Sequence, residues 1–182
     1  MKNPIKNFSL KFIDIMVGVV LGLGLQWWPD LKEPWQYIAF IFSYIFIVDF
    51  WIDYGPSLKK FPPKKEIDVL LDVALIFCLF FCIYTTHLAI LYFLISFIML
   101  FVFDYFWLLS SKKEYQPIGQ DKTYVDTWMR LDLFLGAGLT ILVIIIGKIF
   151  SISSLVILLI FIFINAILRI LSIWKYKRFY LS

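Results

Sequence analysis

Six long apolar stretches, at residues 12–28, 35–54, 67–85, 88–109, 128–146 and 154–174, divide the chain, with short polar segments between them. Each approaches the roughly 20 residues that a helix, rising 1.5 Å per residue, needs to cross a hydrocarbon core of about 30 Å. None shows the strict apolar and polar alternation of a membrane strand, so each is expected to be a transmembrane helix. The expected fold class is therefore all-α: a polytopic membrane bundle of six helices. The turns at 29–34 and 86–87 are short, whereas longer polar segments at 55–66 and 110–127 follow the second and fourth stretches. This spacing predicts three hairpins, at 11–54, 65–109 and 129–174, within a single membrane domain spanning residues 1–182.

Composition removes the soluble alternative. Of 182 residues, 62% are hydrophobic and only 16% charged, and a water-soluble fold of this size has nowhere to put 20 Phe. The formal charge of +4 is modest, and the basic residues are spread between the apolar stretches, which argues against nucleic acid as a partner. They set orientation instead. Lys2, Lys6 and Lys11 precede helix 1, Lys59, Lys60, Lys64 and Lys65 follow helix 2, Lys112, Lys113 and Lys122 follow helix 4, and Lys175, Lys177 and Arg178 close the chain. The other side carries only Lys32 and Lys148, so both termini are expected in the cytoplasm of a protein of the cell membrane. The apolar run of helix 1 continues past Gly22-Leu23-Gly24 to Trp28, which reads as an uncleaved signal-anchor. Trp27, Trp28, Trp35 and Tyr84 are expected to form an outer interfacial belt, and Trp51, Tyr54, Trp107, Trp128, Trp174 and Tyr176 an inner one.

The charged residues inside the spans carry the functional signal, because such groups are costly in a bilayer. Helices 1, 3 and 5 open on a basic residue followed by an Asp: Lys11 and Asp14, Lys65 and Asp68, Arg130 and Asp132. Helices 2, 4 and 6 answer with Asp49, Asp104 and Asn165, at separations of 35, 36 and 33 positions from those Asp residues. This is a weak hairpin repeat of the sort transporter and channel folds use. At 1.5 Å per residue from the outer helix ends, Asp14, Asp49, Asp72, Asp104, Asp132 and Asn165 all fall roughly 18–24 Å inward, on the cytoplasmic side. Bundled helices would gather them into an acidic ring or vestibule. A structural role competes for Asp14, Asp68 and Asp132, which the pattern places at helix N-termini, where carboxylates cap free N–H groups and pair with the preceding base. Arg169, within helix 6, needs a carboxylate partner, with Asp49, Asp104 and Asp132 as candidates.

Other chemistry is missing from the pattern. No phosphate loop, nucleophile elbow or HExxH is present, Asp68 and Asp72 are too sparse a signature for a membrane transferase, and neither enzyme activity nor a cofactor is expected. Cys78 and Cys82 lack a second ligand pair and read as packing residues, and His87 as a solvated turn residue. Gly18, Gly22 and Gly24 in helix 1, with Gly136 and Gly138 in helix 5, read as sites of close helix packing.

Phe12-Ile13-Asp14 at the start of helix 1 resembles the Phe-Ser-Asp motif of the prokaryotic and lysosomal potassium channel family, with the Ser replaced. Ser43-Tyr44, Phe50-Trp51 and Asp53-Tyr54 look similar to the second helix of that family, although its polar pair is usually histidine-rich. The resemblance covers about 45 residues, and Asp49 stands where the family is normally apolar. It implies a homo-oligomer whose first helices line a pore, with Ile15, Val19 and Leu23 as the constriction. The residues and the resemblance together lead to one expectation: passive or coupled movement of a monovalent cation or proton, with Asp14, Asp49, Asp72, Asp104 and Asp132 attracting the ion and Arg169 as counter-charge. The alternative is a non-transport accessory or scaffold protein that binds lipid or a partner subunit.

Overall fold

The computed structural model describes residues 4–176, and the side chains of residues 11–172. Every regular element among the described residues is helical, with no strand. The helices are α1 (Pro4–Gly24), α2 (Pro34–Lys60), α3 (Glu66–Tyr84), α4 (Ile90–Tyr115), α5 (Gly119–Arg130), α6 (Leu139–Ile149) and α7 (Ser154–Tyr176). A π-helical segment, Leu131–Gly138, joins α5 to α6. Together these make six helical stretches long and apolar enough to cross a membrane, with residues Gly119–Ile149 forming one of them.

Three boundaries differ from expectation. Helix α2 runs past Tyr54 to Lys60 and carries Pro56 within it. Pro56 has no N–H to return to the preceding turn, and Ser57 Oγ donates to the Asp53 carbonyl at 3.0 Å just beside it. Helix α4 likewise continues to Tyr115, where Gln116 ends it in the left-handed region at φ 43°. Helix α5 then starts at Gly119, so the polar segment expected at 110–127 shrinks to a three-residue connection. In each case a polar sequence continues an apolar helix beyond the membrane-length stretch, which hydropathy alone cannot register.

Helices α3 and α4 pack most extensively against each other; α1 lies against α3 and α2, α7 against α2 and α6, and α4 also against the π-helical segment. Phe93, Phe97 and Phe161 are fully buried where α4 meets α7, and their rings stand 5.0–6.0 Å apart with Phe42 and Phe46 of α2 around them. Aromatic pairs at such spacing add about 0.5–1.5 kcal/mol beyond burial. Cys78 and Cys82 are free and buried, as packing residues should be. The glycine expectation divides. A Cβ on Gly24, Gly136 or Gly147 would meet a side-chain atom at 2.6–2.8 Å, whereas Gly18 and Gly22 face open space and pack against nothing in this chain.

One end of the bundle is basic and cross-linked. The end of α2 meets the start of α5 through Lys60 and Asp121, the start of α3 meets α4 through Lys65 and Glu114 at 2.8 Å, and Lys112 of α4 reaches Asp126 of α5 at 2.6 Å. The hydrogen bond from Lys65 to Glu114 holds its ammonium above the ordinary lysine range. Lys65 was expected to pair with Asp68, but Asp68 is taken up by the backbone. It accepts the N–H groups of Lys64 and Lys65 at 3.1 and 3.0 Å and the Ser110 hydroxyl at 2.6 Å, capping α3 as predicted. Lys2, Lys6, Lys175, Lys177 and Arg178, used above for orientation, lie outside the described side chains, as do Trp174 and Tyr176.

Candidate functional site

A cavity of about 430 Å³ opens among α2, α4, the α5 to α6 span and α7. Its charged lining consists of Asp49 and Asp53 from α2, Asp104 from α4, Asp132 from the π-helical segment and Arg169 from α7. Four carboxyl groups thus face one guanidinium.

Arg169 is committed to the α2 pair. Asp49 and Asp53 are four residues apart on one helical face, and Arg169 Nη2 lies 2.7 Å from Asp49 Oδ1 and 3.2 Å from Asp53 Oδ1, while Nη1 donates to Asp53 Oδ2. The fork on Asp53 is the bidentate geometry that suits a planar guanidinium. Of the three partners expected for Arg169, the structure selects Asp49 and adds Asp53; neither Asp104 nor Asp132 pairs with it. The sequence pattern does not single out Asp53, because an apolar stretch ending at Tyr54 places it at the interface. The available signal was its i, i+4 relation to Asp49.

Asp104 and Asp132 both line the cavity, one from α4 and the other from the π-helical segment packed against it. Two acidic groups lining one largely apolar space repel each other when both are ionised, so a positively charged occupant beside them is favoured. Asp132 is only 4% exposed, and no N–H or O–H donor among the described residues reaches its Oδ2. Its setting differs from that expected. It stands inside a continuous span rather than at a helix N-terminus, and so caps nothing. The π-helical backbone, rare and often found at functional sites, carries it to the cavity wall, and Thr140 Oγ1 satisfies the Gly136 carbonyl there at 2.6 Å. The side chain of Trp128, also in the wall, has a buried Nε1 without an acceptor.

Two expected members of the acidic level stand elsewhere. Asp14 lies at the eleventh residue of α1, not at its start, because α1 begins at Pro4. It is exposed on the outer surface and accepts the Trp51 indole N–H at 2.9 Å. Asp72 is 1% exposed and sits behind the wall: its Oδ1 accepts the Tyr54 hydroxyl at 2.5 Å and the Trp107 indole at 2.9 Å, and both donors line the cavity. Tyr54 and Trp107 are accordingly buried wall residues rather than belt residues. Asn165 lines the cavity but turns its Nδ2 to the Phe161 carbonyl at 2.9 Å. The three Asp residues aligned as a repeat therefore have three different settings: Asp14 at the surface, Asp68 in a cap and Asp132 in the cavity.

On the opposite side of the molecule, His87 is half-buried against Trp27 and Tyr84, with ring centroids at 6.3 and 4.9 Å, and is not a solvated turn residue. Ile15, Val19 and Leu23 share the exposed face of α1 with Gly18 and Gly22, at 65%, 41% and 48% exposure, and take no part in the cavity. No group of three His, Cys, Asp or Glu among the described residues is arranged to hold a metal ion. No protein-family model, curated protein or solved structure matches the chain, so its relationship to other proteins rests on these residues alone.

Proposed function

We propose that this is a multi-pass protein of the cell membrane, with both termini cytoplasmic, that moves a cation through or into the acidic cavity as a channel or transporter. The observation that carries this reading is the imbalance of the lining: Arg169 neutralises at most part of the Asp49 and Asp53 pair, and among the described residues no second base lines the cavity to face Asp104 and Asp132. In surroundings of low dielectric such an imbalance attracts positive charge strongly. Asp49, Asp53, Asp104 and Asp132 are the binding groups, Arg169 is their counter-charge, and Asp72 positions Tyr54 and Trp107 in the wall. Asp14 lies outside this pathway. In a homo-oligomer the open α1 face bearing Ile15, Val19 and Leu23 is available to a shared axis, as the channel resemblance implies.

The test is cation flux into liposomes carrying the purified protein, driven in turn by K⁺, Na⁺ and H⁺ gradients. Asp132→Asn and Asp104→Asn are expected to cut flux by roughly tenfold or more, the equivalent of about 1.4 kcal/mol, while Asp14→Asn leaves it unchanged. Well-folded protein that carries none of the three gradients would remove the transport reading and leave the accessory or scaffold role.

A further inference from the structure

The charged cavity is built for more than a bare ion. Resting on the cation reading above, we infer that its preferred occupant is an organic cation, an ammonium group carrying an apolar body, whose charge sits at the Asp104 and Asp132 pair. Three observations converge on this class.

The first is size set against ligand count. Hard metal ions take six or more oxygen ligands at short range, yet no three acidic or other metal-ligating side chains among the described residues come together to offer them. A cavity of about 430 Å³ is far larger than such an ion and lies within the roughly 300–1,000 Å³ typical of small-molecule sites.

The second is the wall. Phe46, Phe50, Phe101, Trp107 and Trp128 line the space around the carboxyl groups. Aromatic walls around a cation site favour alkylated ammonium groups, which shed their water cheaply and gain from the ring quadrupoles, over strongly hydrated inorganic ions. The unpaired Trp128 Nε1 and the donor-free Oδ2 of Asp132, both buried, are polar atoms in this wall that an occupant would meet.

The third is access. Ile45 of α2 and Ala166 of α7 both line the cavity and are both exposed, which puts an opening of the cavity between these two helices. In a spanning bundle this side faces acyl chains. An ammonium with an apolar body can partition into the interface and enter from there, whereas a hydrated metal ion cannot.

The experiment is calorimetric titration of the full-length protein in lipid nanodiscs with benzyltrimethylammonium, its uncharged isostere neopentylbenzene, and KCl. Benzyltrimethylammonium is expected to bind saturably and at least about tenfold more tightly than neopentylbenzene, a charge preference of about 1.4 kcal/mol or more, and to resist displacement by equimolar K⁺. Asp132→Asn and, separately, Asp104→Asn should abolish the charge preference. The comparison of charged and neutral ligands on the unaltered protein needs no variant, so misfolding of either substitution leaves the test intact. Equal binding of the neutral isostere, or displacement by equimolar K⁺, overturns the organic-cation assignment; if K⁺ flux is nonetheless found in liposomes, the broader cation reading survives that result. Protein that neither binds an organic cation nor passes any inorganic one overturns both.

Discussion

Tyr54 donates its hydroxyl to Asp72 at 2.5 Å across the interface of α2 and α3, and the same carboxylate oxygen takes the indole N–H of Trp107 from α4. One buried acceptor therefore ties three helices together and holds two cavity-wall side chains. Asp72→Leu would leave both donors without a partner. At about 1–3 kcal/mol for each orphaned buried group, thermal unfolding in detergent should show the largest loss of stability of any single acidic substitution. Asp72→Asn keeps a carbonyl acceptor and is expected to cost markedly less.

The guanidinium of Arg169 bridges two carboxylates that share a helix face. Arg169→Met would leave Asp49 and Asp53 facing each other in a largely apolar setting. Breaking a fully buried pair costs about 3–5 kcal/mol; here the loss should fall below that range, because the Asp49 side chain is 41% exposed and partly screened. A double-mutant cycle with Asp53→Asn should recover part of the loss. Additive effects of the two substitutions would contradict a direct pair.

Much of the architecture could be read in the chain, and the reason is the solvent. A helix long enough to cross a bilayer has to be apolar over a fixed length, so the six stretches are written in composition. The charged positions within the apolar stretches were legible too, and of them Asp49, Asp104 and Asp132 line one cavity while Asp14 and Asp72 do not. What could not be read was azimuth. Whether Asp14 faces outward and Asp104 inward depends on helix rotation, and the spans are apolar nearly all round. Asp53 was hidden by a different effect, the continuation of α2 past its apolar stretch.

Gly136 is a second point where the cavity can be tested by packing. A Cβ there would lie 2.8–3.0 Å from the ring of Phe101. Gly136→Ala must displace that ring, which lines the cavity, so a stability loss of about 1–3 kcal/mol should be accompanied by altered ligand binding. Gly18→Ala meets nothing within 4 Å. In the isolated chain it should be neutral or stabilising by up to about 1 kcal/mol. Destabilisation that tracks with loss of an oligomer on size-exclusion chromatography would instead place a second copy on that face.

The cross-links at the basic end are expected to differ in weight. Exposed ion pairs contribute about 0–1 kcal/mol each, so Lys112→Ala should shift the unfolding temperature only slightly, and less still at high salt. Lys65→Ala strands the Glu114 carboxylate, whose side chain is only 5% exposed, and should cost more and respond less to salt. Equal, small and salt-sensitive shifts for both would contradict that difference.

The π-helical segment between α5 and α6 has a consequence for the whole span. Pairing each N–H with a carbonyl five rather than four residues back inserts a phase slip, so the halves on either side keep separate angular registers. Any periodicity computed along all 31 residues mixes two faces and blurs both. The slip is also sensitive to length: removing one residue from 131–138 would let the backbone relax to an ordinary α-helix and rotate Asp132 away from Asp104, without touching either carboxyl group. A substitution scan would miss that dependence, whereas a single-residue deletion would expose it.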